Sequence, residues 1–269
     1  MSAKLHAVLS ASGGMDSTSL LLHFLAAEYH VHLVSFRYGQ KHVLELDFLR
    51  RNLEYLRTHG YELEWHVVDL AGVAPLFHSA LIEGGEAVPV GHYEQDNMRA
   101  TVVPNRNAIF ASIAYAWALS LAQKNNSTVK FGLGVHSGDH AIYPDCRPEF
   151  FGKLLDAFAA GNWDSERVEA YLPYLHGDKA SILRDAVTNC DKLELDFDRI
   201  FANTLTSYSP GADGRSAGLT GSDVERILAF DEIGRIDPLP YEHSWEIVLA
   251  QAKKLRDDFV GSSSADRGT

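Results

Sequence analysis

The chain has 269 residues, 46% of them hydrophobic and 22% charged, with a formal net charge of −12 at pH 7. That length can bury a full core in one elaborated domain. The acidic balance argues against direct nucleic-acid binding and against an anionic membrane surface, although a local basic cleft stays compatible with it, and no apolar run is long enough to span a bilayer.

The first element is a buried-type strand, Leu5–Ala11, which looks like a strand start and not a signal peptide. It runs straight into Ser12-Gly-Gly-Met-Asp-Ser17 and then into an apolar helical pattern at Leu20, Leu21, Leu22, Phe24 and Leu25. A strand, a tight Gly-rich turn and a helix form an anion cradle, because backbone N–H groups point outward and the helix N-terminus adds positive potential. Ser12, Gly13, Gly14, Met15, Asp16 and Ser17 are the candidate phosphate binders, the two serines adding hydroxyl donors. Asp16 is the odd member. A carboxylate beside bound phosphates repels them unless a cation bridges the two, so Asp16 predicts Mg²⁺. No Gly-Lys-Ser/Thr follows and the three-glycine dinucleotide spacing is missing, so this is neither a Walker A nor a dinucleotide loop.

Val31–Arg37 reads as a second strand, Lys41–Thr58 as a helix and Leu63–Asp69 as a third strand. Glu83–Met98 reads as a loop or lid, Asn107–Gln123 as an apolar helix and Thr128–Val135 as a fourth strand. This alternation predicts an α/β, doubly wound parallel sheet with ligands at the carboxyl ends of the strands. The α/β core is expected over residues 1–150, with a helical region over 151–260 completing the same domain. Within that region Gly161–His176 reads as an insertion or helix–loop element, and helices are expected from about Gly221 and over Ser244–Phe259. The small polar tail, residues 261–269, is expected to be disordered. Two cysteines, Cys146 and Cys190, fit free thiols in a reducing cytoplasm.

Candidate chemistry clusters at the predicted strand ends. The second strand closes in Phe36-Arg-Tyr-Gly-Gln-Lys-His42. The third gives Val67-Val-Asp-Leu70, and the next helix follows Val103-Pro-Asn-Arg-Asn107. The fourth strand closes in Gly132-Leu-Gly-Val-His-Ser-Gly-Asp139 and leads into Tyr143-Pro-Asp-Cys-Arg-Pro-Glu-Phe150. Arg106 and Asn107 open a helix beneath the cleft, where a planar cation suits phosphate or carboxylate; a surface ion pair is the alternative for Arg106. Asp139 and Asp145 can accept from the N–H edge of a guanine-like base, hold Mg²⁺, or simply cap loops. Glu149 stands at a helix start, where a carboxylate also complements the helix dipole. Phe36 and Tyr38 can stack on a flat base or pack a core, and Gly39 with Gln40 fits a tight turn. Of thirteen histidines, His136 and His140 are four apart in a loop and His30 and His32 share a strand face. None has a third partner at ligand spacing, so no histidine metal site is expected.

The Ser-Gly-Gly-x-Asp-Ser loop resembles the pyrophosphate loop of N-type ATP pyrophosphatases, which attack the α-phosphate of ATP. With all five blocks in order, the chain resembles the QueC family of 7-cyano-7-deazaguanine synthases over about residues 5–230. The resemblance implies an adenine nucleotide alpha hydrolase-like fold, ATP and Mg²⁺ as cofactors, and a place in queuosine biosynthesis. It implies 7-carboxy-7-deazaguanine as the small-molecule substrate, ammonia as the nucleophile, and an amide that is then dehydrated to a nitrile. It makes Lys179 a lysine that reaches the ATP phosphates, so that Asp16, Lys179 and Arg106 become the catalytic set. Phe36, Tyr38, Gln40, Arg106, Asn107, Asp139, Tyr143, Asp145 and Glu149 become the acid-binding set. A cytoplasmic homodimer is implied too.

The family also carries a four-cysteine zinc site near its C-terminus. Counting back from Arg226-Ile-Leu-Ala-Phe230, those cysteines fall here on Ser207, Ala217, Thr220 and Asp223. Such a set cannot form a tetrahedral thiolate site, so no zinc is expected, and the helices from Gly221 and over Ser244–Phe259 are expected to hold the segment instead. The loss opens two alternatives. One is an antiviral-defence relative that conjugates the deazaguanine to a protein amine. The other is a non-catalytic nucleotide- or deazaguanine-binding module.

Overall fold

The computed structural model describes residues 4–41, 44–89, 96–136, 143–207, 211 and 214–265. Five strands form one parallel sheet in the order β3-β2-β1-β4-β5. They are β1 His6–Ser10, β2 His30–Arg37, β3 Glu64–Asp69, β4 Val129–Leu133 and β5 Val168–Tyr171. The helices between them are α1 Met15–Ala26, α2 Leu44–Thr58, α3 Arg106–Asn125 and α4 Pro148–Gly161. Beyond β5 come α5 Lys179–Leu193, α6 Phe197–Phe201, α7 Gly221–Glu232 and α8 Trp245–Ala265. No helix among the described residues is long and apolar enough to cross a membrane.

Alternation along the strands divides the core. Ala7 and Leu9 of β1 turn to the face covered by α1, α2 and α5, where Leu20, Leu22, Leu53 and Ile182 are buried. Val8 turns to the face covered by α3 and α4, with Val34, Phe36, Phe131 and Phe151. Five of the seven buried residues of α3 are alanines, Ala108, Ala111, Ala114, Ala118 and Ala122, which lets that helix lie close on the sheet. Gly132 serves the same purpose on β4, since a Cβ there would stand 2.7 Å from the Phe24 ring. The chain therefore steps outward from β1 to β3 on one face, then crosses to the other for β4. The helices diverge between β1 and β4, and that divergence opens a crevice at the strands' carboxyl ends.

Two elements differ from the sequence-based expectation. Gly161–His176 is not an insertion, because Val168–Tyr171 within it pairs in parallel with β4 as the edge strand. Its four residues are half-buried except for exposed Glu169, too short a pattern to announce a strand. Helix α8 runs on through Ala265, into the stretch read as a polar tail.

The segment around α7 is held by polar groups as much as by helices. Arg226, fully buried, donates from Nε and Nη2 to the two oxygens of Asp237 at 2.6 and 2.9 Å. Its remaining N–H groups reach the Thr204 carbonyl and hydroxyl, the Thr206 hydroxyl and the Phe201 carbonyl. Tyr241 and the Leu239 amide complete the set around Asp237. Beside this hub, Ser207 donates to Asp223 Oδ2 at 3.0 Å, Thr220 donates to the same oxygen, and Ser216 donates to Ser207. Burial pushes the Asp223 carboxyl above its usual range. Three of the four positions that would carry zinc thiolates thus form a buried hydrogen-bonded cluster. One carboxylate and mutually bonded hydroxyls do not fit a tetrahedral zinc centre. Val248 and Ala252 of α8 pack on Val224 and Ile227 of α7, so the added helix shares the task.

Arg226→Leu strands a buried carboxylate and is expected to lower stability by about 3–5 kcal/mol in urea denaturation, with Arg226→Leu combined with Asp237→Leu recovering most of the loss. A loss near zero in the single variant would remove the hub from the account of how this segment is held. At the opposite end of the sheet, His6 Nδ1 lies 3.0 Å from His32 Nε2, and His32 Nδ1 lies 2.6 Å from Glu64 Oε2. Burial first, then repulsion by neighbouring histidines, holds His6 below its ordinary value; burial does the same to His32 against the pull of Glu64. A lowered folded value means that the unfolded chain binds protons more readily. The contribution is therefore complete above pH ~6.5 and drains away as pH falls through the folded values. Thermal melts should show a falling midpoint between about pH 7.5 and about pH 5, and His32→Gln should shrink that fall.

Candidate active site

The phosphate-type loop is built as its sequence implies. Gly13 has φ +89°, and a Cβ on it would lie 2.1 Å from the Glu45 carbonyl oxygen, so only glycine lets the loop pass the first turn of α2. Gly14 caps α1 without a side-chain bond to its first amides. Ser12 and Ser17 brace the turn, their hydroxyls 3.1 Å apart and Ser12 Oγ accepting from the Gly14 amide. Gly134, at the end of β4, comes so close to the first turn of α1 that a Cβ would meet the Asp16 backbone at 2.9 Å.

Lys179, the first residue of α5, is 7% exposed and lies across this loop. Asp178 caps that helix through a capping box with Ser181, which fixes where the lysine starts. Lys179 Nζ is 3.3 Å from Asp16 Oδ2, 3.5 Å from Glu225 Oε2 and 2.9 Å from His136 Nε2. An ammonium has only donors, so the imidazole nitrogen accepts. Asp16 Oδ1 is buried with no hydrogen-bond partner among the described residues. An orphaned carboxylate oxygen beside an anion cradle fits a divalent cation. Among the described residues no group of three or more His, Cys, Asp or Glu could hold a metal alone. That suits Mg²⁺, which takes one or two carboxylates and fills its shell with water and phosphate.

One cavity of about 220 Å³ gathers Ser12, Gly14–Ser17, Phe36, Tyr38, Gln40, Arg106, Asn107 and Lys179. Phe36 stacks on Phe110 at 4.1 Å, and Tyr38 meets the same ring edge-on, giving the cavity an aromatic wall. Arg106 hydrogen-bonds the Tyr38 hydroxyl; burial nonetheless pushes that phenol up. Gln40 is 2% exposed, accepting from the Tyr38 amide and donating to the Phe36 carbonyl, so it braces the turn it lines.

Other expected site residues stand elsewhere. Tyr143 is buried behind the wall, its hydroxyl 2.5 Å from that of Thr101. Asp145 accepts from the Asn107 amide at 3.2 Å, which makes it a cap for α3. Glu149 lies outside the cavity on an exposed face of α4, paired with Lys153 one turn on at 2.6 Å. It stands in the first turn of α4, where its charge complements the helix dipole. Asp139 and His140 lie outside the described residues.

The cavity also contains groups the sequence reading did not assign to it. Phe110 completes the aromatic wall, Thr206, Ser207 and Ser222 come from the segment around α7, and Glu45 stands between Gly13 and Gln40. Burial pushes the Glu45 carboxyl up to about 7, against the hydrogen bond from Gln40 and the charge of Arg106. Its position five residues past Gln40, in the first turn of a helix, was the available signal. His136 touches Lys179, a role that a search for metal spacing could not reveal.

A doubly wound sheet with an anion cradle, an open carboxylate and a buried lysine at its switch point defines an α/β nucleotide-binding protein. The chain belongs to the QueC family, since the family model described as queuosine biosynthesis protein QueC matches residues 6–234. The 7-cyano-7-deazaguanine synthase of Marinomonas sp. (strain MWYL1) is 40% identical over 88% of this chain and 98% of its own length. The 7-cyano-7-deazaguanine synthase 1 of Colwellia psychrerythraea (strain 34H / ATCC BAA-681) is 39% identical over 87% and 98%. NMN synthetase from Francisella tularensis aligns over 95% of this chain and 87% of its own at 12% identity and a TM-score of 0.38, too distant to bear on the site.

Gly13→Ala should be poorly tolerated. A forced shift of α2 at a left-handed position is expected to cost roughly 1–3 kcal/mol, read from thermal or urea melts. A variant as stable as the parent would mean that the loop does not need its contact with Glu45.

Proposed function

We propose that the protein is an ATP- and Mg²⁺-dependent ligase. It adenylates the carboxylate of 7-carboxy-7-deazaguanine, releases pyrophosphate, and hands the acyl group to a nitrogen nucleophile as AMP leaves. The observation that carries this reading is the make-up of the cavity. An anion cradle with Asp16 and Lys179 lines the same cavity as Arg106 and the Phe36–Phe110 stack. A carboxylate is a poor electrophile, and its adenylate has a good leaving group. The cradle and Lys179 hold the departing pyrophosphate, Arg106 takes the carboxylate, and the aromatic wall takes the flat ring. Bound Mg²⁺, held by Asp16, would supply the charge that lets phosphates lie against a carboxylate. Asp139 stays a candidate acceptor for the ring's N–H edge.

Ammonia is the nucleophile this reading favours, with the amide dehydrated to a nitrile in a second round. A protein amine is the second reading, and one observation favours it. Thr206, Ser207 and Ser222, from the segment whose zinc chemistry is absent, line the cavity itself. A binding-only module is disfavoured because Asp16, Lys179 and Arg106 all line the same cavity.

Incubation with ATP, Mg²⁺ and 7-carboxy-7-deazaguanine, with and without ammonia, should yield AMP, pyrophosphate and an amide or nitrile product by mass. No AMP under any condition would overturn the ligase reading. An acyl mass shift on an added protein, with no small-molecule nitrile, would select the second. Asp16→Ala should abolish pyrophosphate release in a protein that still folds, checked by a cooperative melt, and persistent turnover would move the cation elsewhere.

A further inference from the structure

Among the described residues two carboxyl groups line the cavity, Asp16 and Glu45. Asp16 is engaged by Lys179 at the cradle. Glu45 interacts both with the loop, through its backbone carbonyl, and with Arg106, through charge. Its backbone carbonyl presses on Gly13 of the loop, and its Oε1 accepts from Gln40 Nε2 at 3.4 Å. Gln40 is itself pinned by bonds to Phe36 and Tyr38, so that contact is held from a fixed turn. The charged and titratable groups facing Glu45 are Arg106 from α3 and Tyr38 from the turn after β2. On its own helix Asp47 is half exposed and turned to Arg50. A bond joining an acid held by Arg106 to a nucleotide held by the loop must lie between those two, and Glu45 interacts with both.

We infer that Glu45 is the proton acceptor for the nitrogen nucleophile in the transfer step, an inference that rests on the ligase reading above. The nitrogen lone pair forms a C–N bond to the acyl carbon. The C–O bond to AMP breaks and its electron pair leaves on the phosphate oxygen. The proton that the nitrogen must shed passes to the Glu45 carboxylate and from there to water. Ammonia reaches the site mostly as ammonium at neutral pH, so this reaction needs such a group. Burial suits Glu45 to it, because a carboxyl raised to about 7 is ionised often enough to accept a proton and basic enough to keep it through the step. Arg106 keeps the ionised form from being prohibitive, and Gln40 keeps the oxygen in place.

The test compares nucleophiles. Hydroxylamine is already unprotonated at neutral pH and has little need of a base, whereas ammonia has great need of one. Acyl transfer to ammonia in the wild-type protein should rise with pH through an inflection near the Glu45 value of about 7. Glu45→Gln should lose that inflection and fall roughly a hundredfold with ammonia, and by a much smaller factor with hydroxylamine. Glu45→Asp, which keeps a carboxyl, should retain a pH-dependent rate. The ratio between nucleophiles is read within one protein sample, so a partly folded variant does not obscure it. Equal losses with both nucleophiles, or an unaltered pH profile in Glu45→Gln, would overturn the inference and make Glu45 a wall of the acid site. Acid-dependent ATP–pyrophosphate exchange by the wild-type protein separates the two levels. Its absence overturns the ligase reading and the Glu45 role together; its presence with an unaltered pH profile overturns Glu45 alone.

Discussion

The ammonium of Lys179 is the charge around which the site is arranged. It is nearly withdrawn from water, an expensive position for a lysine, and it is tolerable only because Asp16, Glu225 and His136 surround it. Those partners come from the first turn of α1, from α7 and from the end of β4. The sheet and the helical region beyond β5 are therefore joined beside the Gly-rich loop. Packing supports the junction, since α5 lies on α1 through Ile182, Leu183 and Ala186. An arriving polyphosphate would meet a cation already positioned by two carboxylates and would not have to recruit a mobile one. Such preorganisation is where electrostatic catalysis gains most.

The region around α7 shows the same rule applied to structure. A thiolate–zinc centre holds a segment with four strong bonds. Here comparable restraint comes from many weaker ones, and it works because so few groups are left unmatched. Arg226 is fully buried, and each of its nitrogens has an acceptor. A buried ion pair repays its desolvation only under that condition. The Ser207–Asp223–Thr220 cluster adds direction, because its hydroxyls can each donate only along the network. The segment is held by these bonds, and Thr206, Ser207 and Ser222 from it border the cavity.

How far the sequence revealed these features follows from their physical range. Strands β1, β2 and β4 are buried on both faces and read as apolar runs, and the Gly-rich loop announces itself because its backbone has few alternatives. Strand β5 did not, because an edge strand needs only one neighbour and Glu169 faces water. Arg106, read from the sequence at a helix start beneath the cleft, opens α3 and lines the cavity. Glu149 shared that local signal, and only tertiary packing separates the two: α3 opens beneath the cavity, while the first turn of α4 faces solvent with Lys153 as its partner. His136 and Glu45 are placed by contacts set by the tertiary fold, His136 with Lys179 and Glu45 with Gln40 and Gly13. No periodicity encodes such contacts.

On the proposed ligase reading, activation and transfer place different demands on this cavity. Activation needs charge held rigidly against phosphate, and every element that supplies it is packed into the sheet or fixed by a capping box. Transfer needs a path for the nucleophile and a place for its proton. The groups available for that are Glu45, on the α2 side, and the hydroxyls of Thr206, Ser207 and Ser222, from the segment around α7. Hydroxyls are small, neutral and able both to donate and to accept, so they line a passage for an amine without fixing its size. A chain can therefore keep the rigid half unchanged while the passage alters, because the Lys179 centre and the Ser207 cluster share α7 but no hydrogen bond among those that define either. Substitutions at Thr206 or Ser222 should then act on the choice of nucleophile and leave the chemistry at phosphorus to Asp16 and Lys179.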